Sequence, residues 1–322
     1  MKVIPLLLLL LLLCHLNAEW LSGIDPAYYD YNPRLMAMGG AGIALAAYSP
    51  SAALANPAAL ANTMQHYTFE CSNSTYFQLL SYNYLGTALK LNNSFILSAG
   101  LDFCGDDVMS EYEMTLTWSA NAGRLFPQYE FLQKLALGAN LKLLGSSFGN
   151  NSSGSYVDNN GLEHQVKGNS FGYALDWGVQ YQLNEKNRLG IFNRNLLNDI
   201  FWNSSNETGT ALGSYSESRP VALIVGYAYQ SSNTALSLDY NKTLYSDGRD
   251  CFRNGLEIKL LSDALALRCG YSTQLFSLEN NQFNIGCGIK FKYASRTFRL
   301  DIAYRFFTPW EGHNNLLLGL TI

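Results

Sequence analysis

Charge is scarce in this chain. Asp, Glu, Lys and Arg make up only 14% of its 322 residues, and 25 acidic against 21 basic side chains leave a net charge of −4. There is no basic surplus to neutralise a phosphate backbone, which excludes nucleic acid as a partner. Long apolar runs are missing too. Beyond the first residues, no stretch reaches the roughly 18 consecutive apolar residues that a spanning helix needs. Five cysteines follow residue 18 (Cys71, Cys104, Cys251, Cys269 and Cys287), an odd number with no C-x-x-C pair, and His66, His164 and His313 stand far apart. That distribution suggests neither a disulfide framework nor a zinc site, so no metal or other cofactor is expected.

What is abundant points to strands. The chain has 21 Tyr and 27 Gly, with aromatics at 13% and many Asn and Ser, a mixture that favours strands and turns over helices. The opening MKVIPLLLLLLLLCHLNAEW has a Lys, an apolar run and a small residue at Ala18. This is the layout of a secretory signal peptide over residues 1–18, cleaved after Ala18.

From Tyr67 onward the dominant signal is alternation with a period of two. In RTFRLDIAYRF, Phe298, Leu300, Ile302, Tyr304 and Phe306 point one way, and Arg299, Asp301, Ala303 and Arg305 the other. FGYALDWGVQYQL repeats the scheme, with Asp176 on the small, polar side. Such runs predict about fourteen strands: 67–73, 77–91, 94–104, 110–122, 133–147, 170–183, 187–196, 218–230, 233–243, 251–261, 263–275, 280–294, 296–307 and 313–322. Many are near the 9 to 11 residues that cross a bilayer at a tilt. Tight turns around Asn92-Asn93, Asn184-Glu185-Lys186, Ser231-Ser232, Ser262-Asp263 and Ser295 alternate with connections that include the long polar stretches 148–169 and 197–217. The connection 123–132 is longer than its side predicts.

An even strand count with short turns at one end and long loops at the other predicts an all-β fold. The expectation is a transmembrane antiparallel β-barrel over residues 66–322 in a bacterial outer membrane, its short turns in the periplasm and its apolar faces against lipid. The opposite faces then line a polar lumen, with Asp176, Arg268, Arg299, Asp301 and Arg305 as lining candidates. Cys269 and Cys287 fall on the lipid-facing parity of adjacent strands.

Two motifs invite a catalytic or nucleotide reading. In MGGAGIALA, Gly40, Gly42 and Leu45 occupy the spacing of a dinucleotide fingerprint, but no strand precedes them, no helix pattern follows, and Asn62 and Thr63 stand where an acid belongs. GNSFG places Ser170 in a G-x-S-x-G pattern near His164, yet a polar loop precedes it and a strand follows, whereas the nucleophile elbow joins strand to helix. No enzyme is expected.

Arg34–Ala61, RLMAMGGAGIALAAYSPSAALANPAALA, resembles the opening of the PorV/PorQ group of outer-membrane proteins, relatives of the FadL long-chain fatty-acid transporters: a glycine-rich G-G-A-G-x-A-x-A followed by A-x-x-x-N-P-A-x-L. The similarity resumes at GYALDWGVQYQLNEKNRLGIFNRNL, GLEIKLLSDALALRCGYST, LDIAYRF and GHNNLLLGLTI. The resemblance implies that residues 19–65 form a plug inside the barrel, marked by Arg34, Gly39, Gly40, Gly42, Asn56 and Pro57. Asn56 and Pro57 would fix its last turn, and the glycines would let its backbone pass close to the wall. A departure is the final Ile322, where such barrels often end in Phe or Trp. The resemblance implies two functions: a type IX secretion component that holds exported proteins at the surface, or a FadL-like conduit for a hydrophobic small molecule. The mostly polar inner faces favour the secretion component and its cargo.

Overall fold

The computed structural model describes residues 31–62, 66–76, 80–105, 109–149, 155–157, 160–206, 209, 211–244, 250–275, 281–308 and 314–322. The signal peptide and residues 19–30 and 63–65 of the expected plug lie outside them.

Alternating side chains become extended backbone from Tyr67 to the C-terminus. The strands are β1 (Tyr67–Tyr76), β2 (Leu80–Lys90), β3 (Phe95–Gly105), β4 (Met109–Asn121), β5 (Leu135–Phe148), β6 (Ser155–Val157), β7 (Glu163–Gln182) and β8 (Asn187–Asn206). They continue as β9 (Ala211–Glu217), β10 (Ala222–Gln230), β11 (Thr234–Thr243), β12 (Cys251–Leu260), β13 (Leu265–Gln274), β14 (Asn281–Tyr293), β15 (Arg296–Thr308) and β16 (Asn315–Thr321). Of the sixteen, fourteen pair antiparallel in a closed ring, and β6 and β9 only extend β7 and β8. The ring closes where β1 meets β16, with Phe69 and Ile322 exchanging both backbone hydrogen bonds. Closure removes the unpaired edges that lipid does not tolerate.

The two faces separate as the alternation predicts. On β15, Leu300 and Ile302 are 47% and 39% exposed on the outside, and Asp301 and Ala303 are 6% and 0% exposed on the inside. Leu101, Leu116, Leu141, Leu267 and Leu318 continue the outer apolar wall round the ring. Cys269 belongs to that outer wall. Among the described residues no helix is long and apolar enough to cross a membrane.

Short turns gather at one end. In the β7–β8 turn the Asn184 carboxamide oxygen accepts from the backbone of Lys186 and Asn187, a side chain mimicking a backbone turn. The long connection after β4 contains helix α3 (Ala122–Leu125), N-capped by Asn121, and a 3-10 turn over Glu130–Lys134. At the other end, much of what reads as loop in the sequence is strand. Residues 166–169 pair with 203–206 and residues 197–202 with 170–175, residues 163–165 pair with β6, and β9 pairs with β8 from Ile200 to Ser205. Each of β7 and β8 has 20 residues, about 65 Å of strand, which at a 45° tilt still rises well past a bilayer core of roughly 30 Å. Asn198, Asp199 and the polar run 203–206 mask the alternation here, although Ile200 turns inward and is buried.

The β7–β8 pairing breaks at one place. Arg194, Asn195 and Leu196 stand against the single residue Asp176, and Asn195 takes a φ of 55°. The Asp176 carboxylate accepts from the Asn195 backbone N–H at 2.8 Å, which holds the bulge.

Candidate functional site: the inner segment and its seat

Residues 31–62 lie inside the ring. They form helix α1 (Pro33–Ala37), helix α2 (Ala52–Ala55) and a 3-10 turn over Pro57–Asn62. Helix α1 begins with Asn32 as N-cap, its side chain accepting from Leu35 N–H, and Pro33 in the first turn, where a missing N–H costs nothing. It ends at Gly39, whose φ of +71° is the left-handed conformation glycine accepts. Gly39 N–H bonds to Met36 and Gly40 N–H to Leu35, closing the helix with a Schellman pair. Gly39 is also forced by its neighbours: a Cβ there would lie 2.7 Å from the Tyr271 backbone N and 2.8 Å from Asn254 O on the wall.

The glycine-rich stretch does hold an anion, but one supplied by the protein. Gly42 N–H and Ile43 N–H both donate to one carboxylate oxygen of Asp239 on β11, at 2.6 and 3.1 Å. Successive backbone N–H groups make such an anion-binding concavity. The carboxylate fills it.

A second attachment is ionic. Arg34 makes a two-pronged pair with Glu257 on β12, Nη2 to Oε1 at 2.8 Å and Nε to Oε2 at 3.0 Å. Arg268 on β13 shares that carboxylate at 2.7 Å and reaches Asp301 on β15 at 2.6 Å. Gly288 leaves the room: a Cβ there would stand 2.1 Å from Asp301 Oδ1. Tyr48 completes the group, donating to Asp301 at 3.3 Å while the guanidinium of Arg299 lies 4.0 Å above its ring. Burial raises the Tyr48 pKa above the ordinary tyrosine value, so its hydroxyl stays a neutral donor. The two buried arginines and two buried carboxylates balance.

Other wall strands hold the segment through neutral groups and one more carboxylate. Glu70 on β1 accepts from Ser51 N–H at 2.7 Å and Ser51 Oγ at 2.8 Å. Asn56 donates to Ile43 O at 2.8 Å and accepts from Ala58 N–H at 3.0 Å. Gln180 on β7 donates to Ile43 O and Leu45 O, and Asn140 on β5 donates to Ala53 O. The inner segment is therefore fastened to wall strands all round the ring.

Close seating requires glycine on the wall as well. Pairs of cross-strand neighbours, Gly138 with Gly178, Gly190 with Gly226 and Gly255 with Gly270, face inward. A Cβ on Gly138 would lie 2.3 Å from Pro57 C, one on Gly190 2.7 Å from Ile43 O, and one on Gly270 2.1 Å from Met38 C. Backbone thus packs on backbone.

The expected site residues fall into separate places. Arg34, Arg268, Asp301 and Arg299 meet in the ionic group, Gly39, Gly42, Asn56 and Pro57 approach the wall, and Gly40 bonds to Leu35 within the segment. Asp176 belongs to a different cluster with Lys142 at 2.8 Å, next to Glu113, which Arg219 reaches at 2.6 Å. Arg305 is buried elsewhere, its Nε donating to Asn284 at 2.9 Å. Tyr48, Glu70 and most of the wall glycines are absent from the sequence reading, whereas Gly178 and Gln180 stand with Asp176 on the small, polar side of FGYALDWGVQYQL. For those on strands the one local signal is parity, the inward side of each strand; Tyr48 lies in the inner segment and has none.

The inner wall is not uniformly polar. Toward the long-connection end, Leu144, Ala174 and Ile200 pack together with Trp202 on the inner faces of β5, β7 and β8. Phe148 and Tyr215 flank the indole at ring distances of 6.1 and 6.0 Å. This apolar patch corrects the expectation of a mostly polar lumen at that end. The G-x-S-x-G serine is a wall residue, Ser170, bonded to Ser146 at 2.6 Å. Its strand is extended through His164, which sets the two about 20 Å apart.

No protein-family model matches the chain, and no curated protein matches it in sequence. Solved structures do match. The monoaromatic hydrocarbon channel CymD aligns with a TM-score of 0.61 at 15% identity, over 90% of this chain and 96% of that one. The Pseudomonas putida toluene transporter TodX gives 0.60 at 14%, over 95% and 99%, and a Pseudomonas aeruginosa FadL homologue 0.58 at 13%, over 90% and 97%. Identities this low establish a shared fold. A closed ring of this kind, with a lipid-facing apolar wall, is a bacterial outer-membrane β-barrel. Neither kind of sequence match supports the PorV/PorQ group in particular.

Proposed function

We propose that the protein is an outer-membrane channel of the FadL type that admits a small hydrophobic molecule, with residues 19–65 as its hatch and the long connections facing the cell exterior. The observation that carries this reading is the inner segment itself, fastened across the ring beneath an apolar inner patch. A molecule entering from outside meets Leu144, Ala174, Ile200 and Trp202 first, where burial of its apolar surface is favourable. It then meets the hatch. Shared architecture with hydrocarbon channels supports the same reading. The reading as a type IX secretion component rests on the order of loose sequence motifs and on the polarity of the inner faces, which the apolar patch interrupts, and exported cargo has no assigned surface.

Uptake decides the matter. A deletion strain should take up toluene or a long-chain fatty acid more slowly than its parent, and Asn56→Ala with Pro57→Ala should alter the flux of the restored protein. Normal uptake in the deletion strain, with exported proteins trapped inside, would replace the channel reading with the secretion one.

A further inference from the structure

We propose that the short-turn mouth of the barrel carries a binding site for a compact organic carboxylate, anchored by Arg188. The inference stands on the cavity there, independently of which molecule crosses the lumen. The cavity measures about 190 Å³ and lies between the inner segment (Ala44, Ala46), the end of β10 (Ala228, Gln230) and the β7–β8 turn with Lys186 and Arg188. Its volume is below the roughly 300–1,000 Å³ of pockets for drug-sized ligands, so its occupant is small.

The lining has two chemical halves. Ala44 and Ala228 belong to a buried apolar cluster with Leu35, Met38 and Leu45, which gives the cavity an apolar inner end. At the outer end stand two cations. Arg188 shares the inward parity of Gly190 on β8, and its Nε is sealed from solvent with no hydrogen-bond acceptor. Neither Arg188 nor Lys186 has an ion pair among the described residues, and Glu185, which also lines the cavity, is exposed at the turn. The contrast with the other inward arginines is sharp, for Arg34 and Arg268 share Glu257 and Arg305 donates to Asn284. A buried guanidinium N–H without an acceptor is costly, and a carboxylate is the planar group its fork matches.

The rim is held ready. Asn184 accepts from Lys186 N–H and Asn187 N–H, Gln230 N–H bonds to Lys186 O at 2.7 Å, and Gln230 Oε1 accepts from Ala46 N–H at 3.4 Å. A ligand with a carboxylate on a compact apolar body then places its charge on Arg188 and Lys186 and its body against the alanines. Such a site lies on the far side of the inner segment from the Trp202 patch.

Calorimetric titration of the full-length protein in detergent, with benzoate, benzyl alcohol and inorganic phosphate, tests the site. Benzoate should bind about tenfold more tightly than either comparison compound, the alcohol lacking the charge and phosphate lacking the apolar body. Arg188→Gln should weaken benzoate by about tenfold, and Arg188→Lys by less. Lys186→Gln, at an exposed turn position that does not threaten folding, should weaken it severalfold. Equal affinity for benzoate and benzyl alcohol, phosphate binding as tightly as benzoate, or benzoate affinity unchanged in both Arg188→Gln and Lys186→Gln would overturn the proposal. None of these readings depends on uptake in cells, so failure here and failure of the channel reading are distinguishable.

Discussion

Replacing Glu257 with Gln tests how the inner segment is held. Glu257 is fully buried, and its carboxylate serves Arg34 and Arg268, whose side chains are 5% and 0% exposed. Gln keeps the shape and removes the charge. Breaking a buried pair by neutralising one partner costs about 3–5 kcal/mol, because the remaining charge stays buried without compensation. Arg268 retains Asp301 at 2.6 Å, and Arg34 retains no carboxylate, only the Ala46 carbonyl at 2.9 Å and the Tyr48 ring 5.0 Å away. The loss therefore falls mainly on Arg34 and should lie toward the lower end of that range. Removing Arg34 as well, as Arg34→Met, should recover part of it, since no orphaned guanidinium then remains. Urea unfolding from lipid vesicles measures all four corners of the cycle, with an expected coupling of about 1–3 kcal/mol. Single-variant losses that add within about 0.5 kcal/mol would show that Arg34 and Glu257 do not act together, and would refute the ionic attachment.

Two further outcomes follow from the wall. Gly270→Val puts a Cβ 2.1 Å from Met38 C, so the inner segment must shift, and single-channel conductance in planar bilayers should rise, whereas Gly213→Val, with its nearest neighbour 4.0 Å away, should leave conductance unchanged. Ile302→Arg, on the outer face near mid-strand, should destabilise the barrel by about 2–4 kcal/mol on refolding into vesicles, and Ser272→Arg on the inner face by less; Ala303 makes a poor inner comparison because it packs against Met36 and Ala37.

A strand's alternation is a local property, and it was legible one strand at a time. Leu300, Asp301, Ile302 and Ala303 announce their faces in sequence because lipid and lumen differ so strongly in polarity. The same contrast made the count of ring strands and their turns readable. Where the contrast disappears, so does the signal: the far ends of β7 and β8 are polar, as in NSSN at residues 203–206, and read as loop, although Lys167 and Ser205, or Asn169 and Asn203, face each other across a regular ladder.

Composition and period determined the class of fold, the membrane it occupies and which side chains turn inward, since each follows from the solvent on either side of a single strand. Tertiary structure alone decided which inward residues meet. Arg34 and Glu257 are 223 residues apart, and no local pattern sets the rotation of the inner segment that brings them together. Glycine in MGGAGIALA means close approach of backbone, but that the N–H groups of Gly42 and Ile43 grip Asp239, and not a phosphate, depends on where β11 stands when the ring closes. The facing glycines of the wall acquire their meaning in the same way. A missing Cβ is only a gap until another backbone is placed against it.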